Sequence, residues 1–241
     1  MAFLFHSNNY SVSLCENFPL KKNILILLIF ISFFATAYSQ QPVFSIATDL
    51  GLQHSFKKGQ SYWAGGHTVH THFNFTPREG IYVWISYYSN GKFSNDVTAT
   101  AKSSSTTPQQ ENYVNNATMR FKHFSIGWRH YLKGADDIDG TWSLYCYTGF
   151  GLLMGKVSNT HSITVDTSLY NVPVLKGTAK FKRLTFDVGL GWEVPIGGDV
   201  YFYNEARLWI PTTDYPSDHL FVNKDAPLVG MLNFGVRILF D

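Results

Sequence analysis

Glu205 and Arg207 stand two residues apart in VYFYNEARLWI, so on an extended strand the carboxylate and the guanidinium project from one face. Asp49, Arg129, Arg183, Asp187, Glu193 and Arg237 occupy equivalent positions, each opposite the large apolar residues of its own alternating stretch. Charges gathered this way can pair with one another or line a conducting path. We read the eight as a paired internal network, in which removing one partner would cost about 3–5 kcal/mol because the other is left buried and uncompensated. His70 and His72 also share a face, and a His-x-His pair on a strand can ligate a metal. No carboxylate or thiol is tied to that pair by local spacing. They are therefore read as interior histidines, and no metal or cofactor is assigned.

The elements that carry these residues are strands with a period of two. In VFSIATDLGLQHSF, Phe44, Ile46, Leu50, Leu52 and Phe56 oppose Ser45, Ala47, Asp49, Gly51, Gln53 and Ser55. The second strand, near His67 to Thr76, sets Val69, Thr71, Phe73 and Phe75 against Thr68, His70, His72 and Asn74. The third, Ile81 to Tyr88, is apolar on both faces and its register is open. FSIGWRHYL gives Phe124, Ile126, Trp128 and Leu132 against Ser125, Gly127, Arg129 and Tyr131. WSLYCYTGFGLLMG gives Leu144, Cys146, Phe150, Leu152 and Met154 against Tyr145, Tyr147, Gly149 and Gly151. RLTFDVGLGWEV sets Leu184, Phe186, Val188, Leu190, Trp192 and Val194 against the face of Arg183, Asp187 and Glu193. The seventh strand turns Val200, Phe202, Ala206, Leu208 and Ile210 away from Tyr201, Tyr203, Glu205, Arg207 and Trp209. The eighth, LNFGVRILFD, separates Leu232, Phe234, Val236, Ile238 and Phe240 from Asn233, Gly235 and Arg237.

Short turns follow the second, fourth and sixth strands, and longer polar segments follow the others. The longest is expected from about Ser89 to Thr118 and is rich in Ser, Thr, Asn and Gln. We read it as a solvated cover in preference to a partner-binding loop. In a soluble sandwich the charged faces would form a dry core, where unpaired charge is very costly. The Leu, Val, Ile, Phe and Trp faces would then be left in water over seven strands. Both difficulties vanish if the apolar faces meet lipid and the polar faces line a closed lumen. The expected architecture is an all-β, eight-stranded antiparallel transmembrane β-barrel, an up-and-down meander with short periplasmic turns and long extracellular loops. An even strand count puts both termini on the periplasmic side. Trp63, Tyr82, Trp84, Trp142 and Trp192 then read as interfacial girdle and lumen packing.

The 241 residues are 15% charged and 17% aromatic with a formal net charge of +2, which argues against nucleic acid. From Lys21 the sequence KKNILILLIFISFFATAYSQQ has two lysines, an apolar run and small residues at Ala37 and Ser39. That pattern is a secretory signal peptide with cleavage expected after Ser39. Residues 1–39 are thus a removed extension plus signal peptide, the first twenty reflecting a start codon set too early, and residues 40–241 are the barrel domain. Cys15 falls in the removed part, which leaves Cys146 without an internal disulfide partner.

In this pattern the chain resembles the small eight-stranded outer-membrane barrels, the OmpX-like proteins and the transmembrane part of OmpA. The Gly-interrupted fifth and sixth strands and the aromatic Phe240 near the end carry the resemblance, and the Ser-Gln junction resembles signal peptides of Bacteroidota. The resemblance implies a cell outer-membrane location in a Gram-negative envelope. The implied partners are outer-membrane lipid and lipopolysaccharide, the barrel-assembly machinery through the C-terminal strand, and a ligand at the external loops. A monomer is expected. Phe240 is followed by Asp241, a departure from the terminal aromatic signal, and no peptidoglycan-binding domain of the OmpA kind follows. His123 and Ser125, in HFS, resemble the His-x-Ser pair of PagL-type lipid A deacylases, which implies Ser-His-acid chemistry. In that family the pair faces lipid, whereas this register turns it inward, and Ile126-Gly127 stands where the family has Asn-Ala. The function read here is a non-enzymatic outer-membrane protein whose surface loops serve envelope integrity, adhesion or interaction. The alternatives are a narrow porin-like channel and a lipid A hydrolase.

Overall fold

The protein was analysed as a computed structural model that describes residues 43–137, 141–213, 218–220 and 228–240. The expected signal peptide, its junction after Ser39, Cys15 and Asp241 lie outside the described residues. The strands are β1 (Val43–Ser55), β2 (Trp63–Thr76), β3 (Glu79–Ala101), β4 (Gln110–Lys133), β5 (Ser143–His161), β6 (Tyr170–Asn171), β7 (Gly177–Gly197), β8 (Val200–Pro211) and β9 (Val229–Phe240). Eight of them close a ring in the order β1, β2, β3, β4, β5, β7, β8, β9 and back to β1, every neighbour antiparallel. Closure is made by the first and last ring strands, from Phe44 opposite Phe240 to Ser55 opposite Val229. A ring has no edge strand, so every ladder group inside a hydrocarbon layer has a partner.

The faces follow the sequence reading. Leu50 is 73% exposed, Phe150 66% and Leu232 52%, while Asp49, Asp187 and Arg237 on the opposite faces are buried. The open register of the third strand is fixed by its neighbours: Tyr82, Trp84, Ser86 and Tyr88 point inward and Ile85 outward. Its ambiguity came from the inward residues being aromatics, whose rings pack while their polar tips hydrogen-bond. On β7 the outward apolar run from Leu184 to Val194 spans roughly ten residues. At about 3.3 Å per residue and a tilt near 40° it makes a band roughly 25 Å tall, the height of an outer-membrane hydrocarbon layer.

One expectation is corrected. The segment from Ser89 to Thr118 is not a long loop: β3 and β4 continue as a paired ribbon from Gly91 opposite Met119 to Thr100 opposite Gln110, and only residues 102–109 join them. The sequence conceals this because the alternation inverts. In β4 the apolar residues move from the outward face (Phe124, Ile126, Trp128) to the inward one (Ala117, Met119, Phe121), where the surroundings change from lipid to water. In β3 a bulge between Tyr88 and Gly91, with Asn90 at φ 63°, shifts the parity by one residue, so Phe93, Val97 and Ala99 turn inward. Asn tolerates that left-handed conformation better than most side chains. The short β6, absent from the expected strand list, pairs with the ribbon at Thr100 and Ala101. Val97, Ala99, Tyr113, Val165 and Tyr170 form a small apolar cluster there.

Candidate functional site

The inward faces of the eight strands fill the lumen in layers. Nearest the short turns, Arg237 makes a two-pronged pair with Glu193: Nε donates to Oε2 at 3.0 Å and Nη2 to Oε1 at 2.8 Å. Tyr131 also donates to Glu193 Oε1 at 2.7 Å, and Arg237 Nη2 donates to the Asp136 carbonyl at 2.8 Å. The Arg237 guanidinium lies 4.1 Å over the Tyr201 ring. Arg129 donates to Asn74 and stands over the rings of Tyr131 and Tyr145, at 4.9 and 5.2 Å. Asp136 belongs to the turn after β4, where burial pushes its carboxyl above its ordinary value against the pull of Arg129 and Arg237.

The middle layer is built on Arg207. Its Nε donates to Glu205 Oε2 at 2.7 Å and its Nη2 to Asp49 Oδ2 at 2.8 Å. It donates to Thr68 at 3.3 Å and lies 4.7 Å over the Trp84 ring. Asp49 also receives Asn233 Nδ2 at 2.6 Å and the Tyr203 hydroxyl at 3.1 Å, and Tyr145 donates to Glu205 Oε1 at 2.7 Å. His70 Nε2 stands 2.8 Å from Asp49 Oδ2 and 2.6 Å from Arg207 Nη2. Asp49, His70 and Glu205 offer ligand atoms close enough together to hold a metal ion. However, Arg207 Nη2 contacts all three of them, so the cationic position is taken by a guanidinium. His72, which would share a metal with His70 in a His-x-His site, instead faces Ser45 at 3.2 Å.

Beside this layer, β4 and β7 bring His123, Ser125 and Asp187 together. Ser125 Oγ lies 2.5 Å from Asp187 Oδ2, and His123 Nε2 lies 2.9 Å from Thr185 and 3.4 Å from Asp187. Trp84 Nε1 donates to His123 Nδ1 at 3.1 Å, which leaves Nε2 as the protonated nitrogen. A nucleophilic triad needs the imidazole between the hydroxyl and the carboxylate. Here the carboxylate lies between hydroxyl and imidazole, and the imidazole's accepting nitrogen is already occupied. The resemblance to a His-x-Ser hydrolase therefore stops at residue types.

Above these layers the lumen turns apolar, with Tyr62, Tyr88, Phe93, Met119, Phe121 and Trp209 among its residues. Arg183 lines a residual void of about 20 Å³ there with Tyr62, Phe121, Phe181 and Trp209, room for about one water molecule. The eight charges singled out in the sequence thus all line the lumen but divide among levels: Glu193, Arg237 and Arg129; Asp49, Glu205 and Arg207; Asp187; and Arg183. The tyrosines that hold the carboxylates, and Asn233, were not recognised as members. Their signal was present in part, since Tyr131, Tyr145 and Tyr203 alternate with lipid-facing residues. Glycines make room for these rings: a Cβ at Gly191 would stand 2.5 Å from the Tyr145 ring, and one at Gly189 would overlap the Tyr147 ring.

No protein-family model matches this sequence, and no curated protein is significantly similar to it. Among solved structures, a major outer membrane protein from Thermus thermophilus superposes with a TM-score of 0.52 at 9% identity, covering 83% of this chain and 100% of that one. Ail, the attachment invasion locus protein of Yersinia pestis, solved with the heparin analogue sucrose octasulfate, gives 0.47 at 12% identity over 83% of this chain and 100% of its own. Neisserial surface protein A gives 0.49 at 12% identity over 82% and 97%. At these identities the likeness is one of fold. The eight-stranded antiparallel ring, with its apolar exterior and charged interior, is the fold of the small outer-membrane β-barrels.

Proposed function

We propose that this protein is a non-enzymatic outer-membrane barrel whose lumen is a packed structural core and whose working surface is the paired ribbon of β3 and β4 beyond the hydrocarbon layer, serving envelope integrity, adhesion or interaction. The observation that carries the reading is the filled lumen. Trp84, Trp209, Arg129, Arg207, Arg237 and Tyr82 rank among the largest fully buried side chains, and an eight-stranded barrel is only wide enough for such side chains to fill it. The first and last described residues of the ring, Val43 and Phe240, lie on the side of the short turns, which supports a periplasmic position for that side and an external one for the ribbon. The alternation of β9 suits recognition by the assembly machinery, and the outward Leu, Ile and Phe suit lipid contact. The Asp187-centred arrangement of Ser125 and His123 supports a structural role for those residues.

The test is site-directed labelling in intact cells. Ser104→Cys, at the ribbon tip, should react with a membrane-impermeant maleimide, and the same substitution at Gly198 in a periplasmic turn should react only after the outer membrane is opened. The reverse pattern would overturn the orientation. In planar bilayers the purified protein should give flat traces, and discrete steps altered by substitution of Arg207 would establish the channel instead.

A further inference from the structure

In the lumen Arg207 is held by Asp49 and Glu205, and Arg237 by Glu193. Arg129 has no such partner: among the described residues it forms no ion pair with a carboxylate, although it is only 2% exposed. Its Nη2 donates to Asn74 Oδ1 at 3.2 Å, while its Nε and Nη1 meet no acceptor. The bond to Asn74 reaches across β3 and depends on Gly80, which lies directly opposite Asn74 on one side and Arg129 on the other. A Cβ at Gly80 would stand 2.3 Å from Asn74 Oδ1.

A buried cation without a counter-charge is strongly unfavourable, and so is a buried donor without an acceptor. The rings of Tyr131 and Tyr145 under the guanidinium offset part of the charge. Their hydroxyls are committed to Glu193 and Glu205, and those carboxylates are in turn engaged by Arg237 and Arg207. Further unpartnered donors belong to the same level. Arg237 Nη1 has no acceptor, and Asn74 Nδ2 is near the Asp136 carboxyl without closing a hydrogen bond on it. Asp136 is the candidate counter-ion within the chain, yet it pairs with neither arginine, and its burial favours the neutral form. Two guanidiniums against the carboxylate of Glu193 therefore leave one positive charge at this level, with donors around it that lack acceptors. A guanidinium can only donate, so an acceptor that carries negative charge meets both needs.

We propose that Arg129, with Arg237 Nη1 and the Asn74 amide, binds a small monovalent anion of halide type at the short-turn end of the lumen. One such ion neutralises the residual charge and accepts from several nitrogens without a fixed orientation of its own. A divalent oxyanion would reverse the charge of the layer. The ion is a member of the packed core and is held by it, which goes beyond the reading of the lumen as side chains alone.

The experiment follows equilibrium urea unfolding of the protein in phospholipid vesicles while chloride replaces gluconate at constant ionic strength. A ligand held only by the folded state lowers the unfolding constant in proportion to its concentration once that exceeds Kd, so each tenfold rise in chloride should lower the constant about tenfold. Bromide should act in the same way. Arg129→Gln should remove the dependence, and Asp136→Asn should keep it, because Asp136 is not the counter-ion. If Arg129→Gln does not fold, anomalous diffraction from crystals of the parent grown in bromide decides: a bromide within hydrogen-bond reach of Arg129 supports the site, and none there overturns it. No chloride dependence in the parent, or the same dependence in Arg129→Gln, would also overturn the proposal. A dependence that appears only in Asp136→Asn would overturn it too, by making Asp136 the counter-ion of Arg129.

Discussion

Replacing Arg207 with Met strips the middle of the lumen of its cation. The side chain is 1% exposed and is the shared partner of Asp49 and Glu205, so Arg207→Met leaves two buried carboxylates facing one another across its place. Breaking a buried pair by removing one member costs about 3–5 kcal/mol, or roughly two to nearly four orders of magnitude in the folding equilibrium. About 1–2 kcal/mol of the measured loss would come from the cation–π contact over Trp84. The remainder belongs to the orphaned carboxylates. That division can be checked, because neutralising them in the triple variant Asp49→Asn, Glu205→Gln, Arg207→Met removes the buried charge and keeps acceptors for Asn233 and Tyr145. The triple variant should recover all but the Trp84 part. The assay is equilibrium urea unfolding in phospholipid vesicles followed by tryptophan fluorescence, with Lys122→Gln as an exposed control. A loss below about 1 kcal/mol for Arg207→Met, or a triple variant less stable than the single one, would refute the view that Arg207 holds the lumen by compensating Asp49 and Glu205.

Gly189→Ala places a methyl group against the Tyr147 ring and should destabilise the barrel by about 1–3 kcal/mol through overpacking; the same urea titration reads it, and an unchanged midpoint would mean the ring can move aside. Ser125→Ala should leave lipid A mass spectra of expressing cells identical to the parent's, whereas fatty-acid release that disappears with the hydroxyl would reinstate the hydrolase. Asp136 titrates above its ordinary value of 3.8, so the folded barrel holds that proton more tightly than the unfolded chain and stability falls as pH rises from about that value. Asp136→Asn should flatten this part of the stability profile, and a profile matching the parent's would clear Asp136 as its cause. Tyr170→Ser removes a member of the apolar cluster under β6 and should speed proteolysis at residues 102–109; equal cleavage rates would show that the ribbon stands without the clasp.

Face assignment was legible in the chain itself, because a period of two is a local property: Leu232 to Phe240 and Leu184 to Val194 declare their lipid side residue by residue. The inside-out character was legible too, since Asp49, Arg207 and Arg237 cannot share a dry soluble core unpaired. Three features needed neighbours. The β3 face was settled only when Trp84 met His123 on the neighbouring strand and Tyr88 met Asn233 across the lumen. The outer ribbon was hidden because its apolar residues change sides where lipid gives way to water, and the bulge at Tyr88 to Gly91 shifts the count. The pairing of charges was likewise beyond sequence: Glu193 with Arg237 and Asp49 with Arg207 are separated by 44 and 158 residues. A barrel's stagger decides which inward residues share a level. Strand register likewise sets Arg120, Lys156 and Lys180 side by side, three cations that are unremarkable in their own strands and become neighbours only when β4, β5 and β7 pair.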